Sequence, residues 1–503
     1  MTLRRRLPFI GAVVAVLAHL ALGALTLRLP LNRDEASYAV IAERLRAGDR
    51  LYVDVIGLRP PLPYWTYMVA LGILGSTTIA VRLMGMAVSA ASLALMIYVG
   101  ARLGGRRTAL VVAFLCALWW RPVGLEGYVA NTEIFINLFA LLSTVVFLAY
   151  LERPRIHLLV VAGTLAGLAT LFKQMGAAQA AAMGFAVLLH RREADHKGRR
   201  RALVAFLIIV ATVVLPWLIA GGWFAAKGHF SEFWFCNFQW MGAYSETRAE
   251  GLPIFKRFMW YSRGWLPEQF GLWVLAAAGC FAAVRSGSRV VHMYLVAWLI
   301  ASGLVILWAR SFYEHHFLLL LPPALLLAAR GLCAAGESLA TGTLPGAHRP
   351  AAILLAFLVG YAVLAAVRTD YRLYKDAWLR SFRGAMQTEY DINRVVGLEV
   401  GKLTRPGDRI FVWGSAPEIY FYSGRQPLCK IVWLDTWIGN SVTGWKERQA
   451  DIVLEAMVKS PPAAVVVAGE EEYLRETAIW PLLLREYRFA HEMEGRRIYL
   501  RRE

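Results

Sequence analysis

Charge is scarce in this chain: 18% of its 503 residues are Asp, Glu, Lys or Arg, where a soluble domain carries about 25%. With 58% hydrophobic residues and a mean hydropathy of +0.48, there is too little polar surface to cover a fold in water. Disorder is excluded on the same ground. So is nucleic-acid binding, despite a net charge of +19, because a basic binder displays its charge on a wettable surface. Cysteine is scarce as well. Cys116, Cys236, Cys280, Cys333 and Cys429 are scattered with no CxxC pair, which argues against a metal ribbon or a disulfide framework. Four of them lie in or beside apolar runs and read as small core residues. The chain has no internal repeat and no low-complexity tract, and its last 134 residues lack the GxGxxG and GxxxxGK[ST] patterns of nucleotide sites.

What the sequence has in abundance is long apolar runs. A membrane-spanning helix needs about 20 apolar residues to cross about 30 Å of hydrocarbon. Eleven runs qualify, at roughly 8–28, 79–100, 108–122, 128–150, 157–172, 175–189, 202–226, 268–284, 290–309, 313–329 and 351–368. The fold class predicted is mainly α, a polytopic membrane protein of about 11 (11–13) transmembrane helices. The first run has no small-x-small cleavage site before polar sequence, so it reads as a span and not as a cleaved signal.

Orientation follows from the tendency of Lys and Arg to gather in short cytoplasmic loops. With Arg4, Arg5 and Arg6 inside, every second loop is basic: Arg102, Arg106 and Arg107; Arg153 and Arg155; the run 191–201; Arg285 and Arg289; and the loop 330–349. The N-terminus is thus expected in the cytoplasm of a multi-pass plasma membrane protein, with the stretches 29–78 and 227–267 and the tail from Asp370 outside. The sequence divides into a membrane domain, 1–369, and a small extracytoplasmic α/β domain, 370–503. In the tail, β-like runs at 409–413, 430–434, 463–468 and 497–500 alternate with helical patterns at 392–403, 447–458 and 471–486. The stretch 230–270 holds thirteen aromatic residues, which suit an interfacial belt or a platform for the rings of a ligand.

The chemistry concentrates in the first outer loop. Asn32-Arg33-Asp34-Glu35-Ala36-Ser37-Tyr38 opens a short amphipathic helix to about Ala47, with Tyr38, Ile41, Ala42 and Leu45 on one face. A helix so short is expected to lie on the membrane surface. Its acids have a structural reading, since Asn32 and Glu35 have capping-box spacing and Asp34 suits the positive end of the helix dipole. They also have a functional one. Leu58-Arg59-Pro60-Pro61-Leu62-Pro63-Tyr64-Trp65 sets a cation before a rigid turn, and a carboxylate pair with a guanidinium can bind a phosphate and activate a hydroxyl. Glu133 begins the fourth span, where charge near hydrocarbon is costly and often functional, although it can equally cap its own helix. Lys173 sits in a turn between two apolar spans, where snorkelling to the headgroups is the alternative. Further on come Arg310-Ser311-Phe312-Tyr313-Glu314-His315-His316; two adjacent His side chains point about 100° apart on a helix and do not by themselves make a metal site.

Taken in order, the Asn-Arg-Asp-Glu-Ala-x-x-Tyr-Ala start, the Arg-Pro-Pro-Leu-x-Tyr-Trp block, Ala80-Val81-Arg82-Leu83, Asn131-Thr132-Glu133 and Phe172-Lys173-Gln174 resemble the GT-C membrane glycosyltransferases related to protein O-mannosyltransferases and the bacterial lipid A aminoarabinose transferase. The likeness covers about residues 8–370. Two positions depart from the family pattern: Arg59 stands where Lys is usual, and Gln174-Met175-Gly176 follows Lys173 where Gly-Pro is usual. The resemblance implies a polyprenyl-phosphate-linked sugar as donor, an extracytoplasmic protein, glycolipid or polysaccharide as acceptor, and inverting displacement. It implies Asp34, with Glu35, as the catalytic acids; Arg59, Lys173 and Arg310 on the donor phosphate; and Tyr38, Tyr64, Glu133, Tyr313, His315 and His316 lining the substrates. No cofactor is called for, and a divalent ion shared by Asp34 and Glu133 is the metal arrangement that the acids would allow. The partners expected are donor lipid, acceptor and bilayer, with no nucleic acid. Two other readings use the same sequence: a transporter or flippase of polar or lipid-linked solutes, and a non-catalytic lipid-binding scaffold. A transporter usually carries charges near the bilayer midplane and shows related halves, whereas the ionisable residues here cluster at the outer ends of spans.

Overall fold

The computed structural model describes residues 3–190, 196–242, 253–284, 289–340, 388–434, 444–469 and 471–502, with single positions between 360 and 379. The chain is mostly helical. In order, the helices are α1 (Leu3–Ala24), α2 (Arg33–Arg46), α3 (Pro61–Leu74), α4 (Thr78–Trp119), α5 (Thr132–Glu152), α6 (Ile156–Thr170), α7 (Ala177–His190), α8 (His196–Ala226), α9 (Phe230–Trp234), α10 (Ile254–Ser262), α11 (Leu266–Val284), α12 (Arg289–Ala309) and α13 (Leu321–Ala340). Then come α14 (Glu389–Leu403), β1 (Arg409–Trp413), α15 (Glu418–Ser423), β2 (Gln426–Pro427), α16 (Trp445–Lys459), β3 (Ala464–Val467), α17 (Glu471–Arg475), α18 (Ile479–Glu486), β4 (Tyr487–Met493) and β5 (Arg496–Arg501).

Ten of the eleven apolar runs fall on helices; the eleventh, 351–368, lies outside the described residues, as does the tail from 380 to 387. Among the described residues, five helices are long and apolar enough to cross a membrane: Thr78–Trp119, Thr132–Glu152, Gly198–Ala226, Arg289–Ala309 and Glu314–Glu337. Three apolar helices are shorter: Ile10–Ala24, Ile156–Thr170 and Gln174–Leu189. The runs 79–100 and 108–122 are the two arms of α4. They are separated at Gly104 (φ −160°, ψ 24°) and Gly105 (φ 71°, ψ −160°), and the second of these conformations is one that only glycine adopts without strain.

Two compact units share the chain. One comprises 1–27, 84–220 and 252–379; the other comprises 28–83, 221–251 and 380–503. The first is helical, with α5 packed on α6, α7 on α12, and α11 on α13. Its interior is tied by hydroxyl and amide bonds between helices, such as Thr144 with Tyr294 at 2.7 Å and the Gln179 amide to the Tyr294 hydroxyl at 2.9 Å, the polar glue expected where lipid supplies no hydrophobic drive.

The second unit holds a five-stranded mixed sheet in the order β2-β1-β3-β5-β4. β1 runs parallel to β2 and β3, and β5 pairs antiparallel with β3 and β4, with a bulge at Phe489/His491. Strands β1 and β3 are nearly continuous apolar runs, as buried parallel strands should be. Phe411, Trp413, Val465 and Val467 pack there against Val453, Met457, Leu474 and Leu483.

Three sequence expectations change. The run 430–434 is not a strand. Ile431 and Leu434 enter the core, but the Lys430 carbonyl accepts from the Ile56 N–H at 2.8 Å and the Leu434 carbonyl from the Ser415 hydroxyl at 2.7 Å, so these backbone groups are spent outside the sheet. The pattern 471–486 is two helices and not one. Helix α2 is not exposed along one face as an amphipathic helix would be: Glu35 to Ala42 are all buried, with α3 and α15 packed on it. In the aromatic stretch, Phe233 stacks on Phe224 at 4.9 Å and both meet Tyr52, while Phe230, Trp234, Phe255 and Trp260 are exposed, as a belt residue is.

Candidate active site

The start of α2 is over-determined. The Asn32 side chain accepts from the Glu35 N–H at 2.9 Å, and the Glu35 carboxylate accepts from the Asn32 N–H at 3.1 Å, which is a complete capping box. The second Glu35 oxygen takes the Arg82 guanidinium at 2.7 Å, with both side chains buried, and Arg82 also donates to the Pro30 carbonyl at 2.7 Å. Removing one member of such a buried pair strands the other charge, at a cost of about 3–5 kcal/mol. Both Glu35 oxygens are therefore engaged in fixing the helix start. Glu35 positions, and the neighbouring Asp34 carries the carboxylate into the cleft.

That cleft is lined by Asp34, Ser37, Tyr38 and Ile41 from α2, by Ile56, Leu58, Arg59 and Tyr64, and by Ile431, Val432, Trp433 and Gln449 from the tail. The α2 contributors recur at three- and four-residue spacing, one face of a helix. Arg59 stands before Pro60, and Pro61 takes the first position of α3, where its missing N–H costs nothing. The Arg59 carbonyl accepts from the Tyr52 hydroxyl at 2.8 Å, and its guanidinium donates to the Leu58 carbonyl at 2.9 Å. The Tyr38 ring meets Tyr64 and Tyr67 edge-on, at 5.7 and 5.5 Å. Burial pushes the Tyr64 and Tyr67 phenols far above their ordinary range, so they remain protonated hydrogen-bond donors.

A second cluster lies in the helical unit. Asn131 caps α5, and Glu133 in its first turn accepts from the Thr132 hydroxyl at 3.0 Å and from the Lys173 ammonium at 2.7 Å. The same ammonium lies 2.9 Å from His316 Nε2. His315 Nδ1 is 3.0 Å from Glu126 Oε2, and the rings of Tyr313, His315 and His316 touch one another. Lys173 is thus buried in an ion pair and does not snorkel. Arg310 is exposed at the end of α12, and both it and Phe312 hold left-handed backbone, φ 55° and 52°, a strained conformation for non-glycine residues.

Glu133, His315 and His316 put ligand atoms within 4.8 Å of one another, a carboxylate–imidazole set of metal-ligating chemistry. The fit to a divalent ion is poor, because the Lys173 ammonium already stands against both Glu133 and His316 and supplies the positive charge. Asp34, the other half of the metal pairing expected from the sequence, belongs to the other compact unit and is not in this set. The sequence reading gave no role to Arg82, Glu126, Trp433 or Gln449. Arg82 carried a usable signal, since a charge in the first turns of an apolar helix needs a partner; the other three are brought in by contacts remote in sequence.

Comparison with known proteins shows what the chain is similar to. Residues 58–219, about a third of the chain, match the family described as dolichyl-phosphate-mannose-protein mannosyltransferase. The fold matches ArnT from Cupriavidus metallidurans bound to undecaprenyl phosphate, with a TM-score of 0.64 and 16% identity over 98% of this chain and 97% of that one. The apo form of the same protein gives 0.63 and 16%, over 99% and 98%. An Archaeoglobus fulgidus oligosaccharyltransferase tethered to an acceptor peptide gives 0.55 and 16%, over 99% of this chain and 74% of that one. No curated protein matches the chain in sequence. The chain therefore shares the fold of ArnT.

Proposed function

We propose that this chain is a membrane glycosyltransferase that moves a sugar from a polyprenyl-phosphate-linked donor to a hydroxyl of an acceptor outside the cytoplasm. The observation that carries the reading is the cleft in which Asp34 and Arg59 both stand, with Glu35 locked behind them. In the reaction the acceptor oxygen attacks the anomeric carbon as the bond from that carbon to the phosphate oxygen breaks. One direct displacement inverts the centre. The bond electrons leave with the polyprenyl phosphate, and the acceptor proton passes to Asp34 as general base. Arg59 offers the leaving phosphate a planar two-pronged donor, and this explains why Arg can serve where the family uses Lys.

Tyr38 and Tyr64 form the aromatic side of this cleft. Lys173, Arg310, Glu133, Tyr313, His315 and His316 are carried forward as donor-contacting residues from the resemblance alone. The reading is supported by two names among the relatives: ArnT bound to undecaprenyl phosphate and the dolichyl-phosphate-mannose-protein mannosyltransferase family. It includes eleven spans, a cytoplasmic N-terminus, and a division into membrane domain 1–369 and extracytoplasmic domain 370–503.

The test is an Asp34→Asn protein that matches the wild type in thermal unfolding and polyprenyl-phosphate binding. Its rate of sugar transfer should fall by about 10²–10⁴-fold, the usual worth of a general base. Transfer at the wild-type rate would falsify the assignment. Mass spectrometry of lipids from cells with and without the protein should show one polyprenyl-linked sugar accumulating in its absence, which identifies the donor.

A further inference from the structure

We propose that the tail wall of the Asp34 cleft, made by Trp433 and Gln449, is a subsite for a carbohydrate ring of the acceptor. This inference rests on the glycosyltransferase reading and extends it to acceptor class: a glycolipid or polysaccharide sugar, and not a protein side chain.

The segment bearing Trp433 is held firmly. Ile431 and Leu434 on either side of it are buried in the tail core. The Lys430 carbonyl is tied to the Ile56 N–H at 2.8 Å. The buried Arg44 guanidinium donates to the Cys429 carbonyl and to the Asp54 carbonyl, the latter at 3.0 Å. Between these anchors Trp433 is partly exposed and faces the cleft. Gln449, on the second turn of α16, lines the same cleft and is only 4% exposed.

The chemistry of this wall is that of polyol recognition. An indole gives a flat apolar face for the C–H face of a pyranose. A primary amide both donates and accepts, so it can bind adjacent hydroxyls. Asp34, which lines the same cleft, would take the proton of the hydroxyl that reacts. A Ser or Thr hydroxyl on a peptide needs the base but neither the ring platform nor the amide.

The experiment uses the full-length protein in lipid nanodiscs, with labelled polyprenyl-phosphate sugar from the source cells as donor and graded amounts of their sugar-bearing envelope fraction as acceptor. Trp433→Ala should raise the half-saturating amount of acceptor about tenfold, the loss of an aromatic contact and its buried area, and leave the donor KM unchanged. Trp433→Phe should recover most of that loss, and Gln449→Ala should raise the acceptor constant severalfold. If Trp433→Ala raises the donor KM, or if Trp433→Ala and Gln449→Ala both leave the constants unchanged, while Asp34→Asn still abolishes transfer, the subsite is overturned and the enzyme reading stands. If the wild-type protein transfers sugar to envelope protein and not to the sugar-bearing fraction, the subsite alone falls; if it transfers sugar to neither, both fall.

Discussion

Glu418 shows how far burial can move a single group in the tail. It sits at the start of α15, fully buried, and the Asn393 amide donates to one of its oxygens at 3.2 Å. Its other oxygen has no hydrogen-bond partner among the described residues. Burial pushes its carboxyl up to about 8; Arg33 opposes the shift and Glu389, itself paired with Arg33 at 2.8 Å, adds to it. A neutral acid in the fold is charged in the unfolded chain from pH 4.5 upward, so between 4.5 and about 8 the folded state holds one more proton. The stability it contributes is complete below pH 4.5, declines as the pH rises, and is gone above about 8. Asp54 behaves oppositely. Its bonds to Arg50 lower its carboxyl from 3.8 to about 2, so its contribution is present above 3.8 and lost as the pH falls through 2, and partial exposure keeps it small. The prediction is that Glu418→Gln, followed by thermal unfolding from pH 5 to 9, flattens the decline seen in the wild type, with the variant gaining most above pH 8. Parallel curves for the two proteins would show that Glu418 does not titrate in this window.

At the scale of elements, close helix contact in the membrane part depends on small residues. A Cβ added to Gly279 of α11 would strike the backbone carbonyl of Leu327 on α13, and Gly331 on α13 approaches the Gly279 backbone from the other side. Backbone cannot swing aside as a side chain does, so Gly279→Ala should force α11 and α13 apart and cost about 1–3 kcal/mol. It should be read as a lowered unfolding midpoint in detergent beside Gly303→Ala, a site on α12 where a Cβ meets nothing within 4 Å; equal midpoints would sink the argument. The same distinction between local and remote causes explains what was legible in the sequence. The helical character of the ten apolar runs, the Asn32–Glu35 capping box and the placing of Asp34 at the head of α2 depend on neighbours within a turn or two, and they read correctly. The 430–434 run looked like a strand because its apolar alternation is real, but its backbone partners lie at Ile56 and Ser415. In the sequence Lys173 is open between snorkelling and phosphate binding because Glu133 and His316, forty and 143 positions away, cannot be paired with it by spacing. The cleft was half legible: Asp34, Tyr38, Arg59 and Tyr64 come from one continuous segment, whereas Trp433 and Gln449 arrive from nearly four hundred residues further on.

For the whole molecule, the distribution of charge makes a stronger statement than its total. Residues 1–369 hold 34 Lys+Arg against 16 Asp+Glu, while the tail holds 20 against 19, so the basic excess belongs to the helical part. There, 18 Lys+Arg and 4 Asp+Glu fall in the N-terminus and alternate loops, the distribution that the proposed cytoplasmic placement of those loops calls for. A tail of balanced charge carries no such retention signal and is free to cross. A base at Asp34 acting on an acceptor outside the cytoplasm requires this orientation, because 29–78 and the tail segments belong to one compact unit and must lie on the same side. Alkaline phosphatase folds only where its disulfides can form, outside the reducing cytoplasm. Fused after Glu503 it should be active, and fused after Arg107 or Arg155 it should be inactive, with a cytoplasm-dependent fluorescent protein giving the reverse pattern. An active fusion at Arg107 together with an inactive one at Glu503 would invert the topology, and the Asp34 cleft would then face the cytoplasm, where the proposed acceptor is absent.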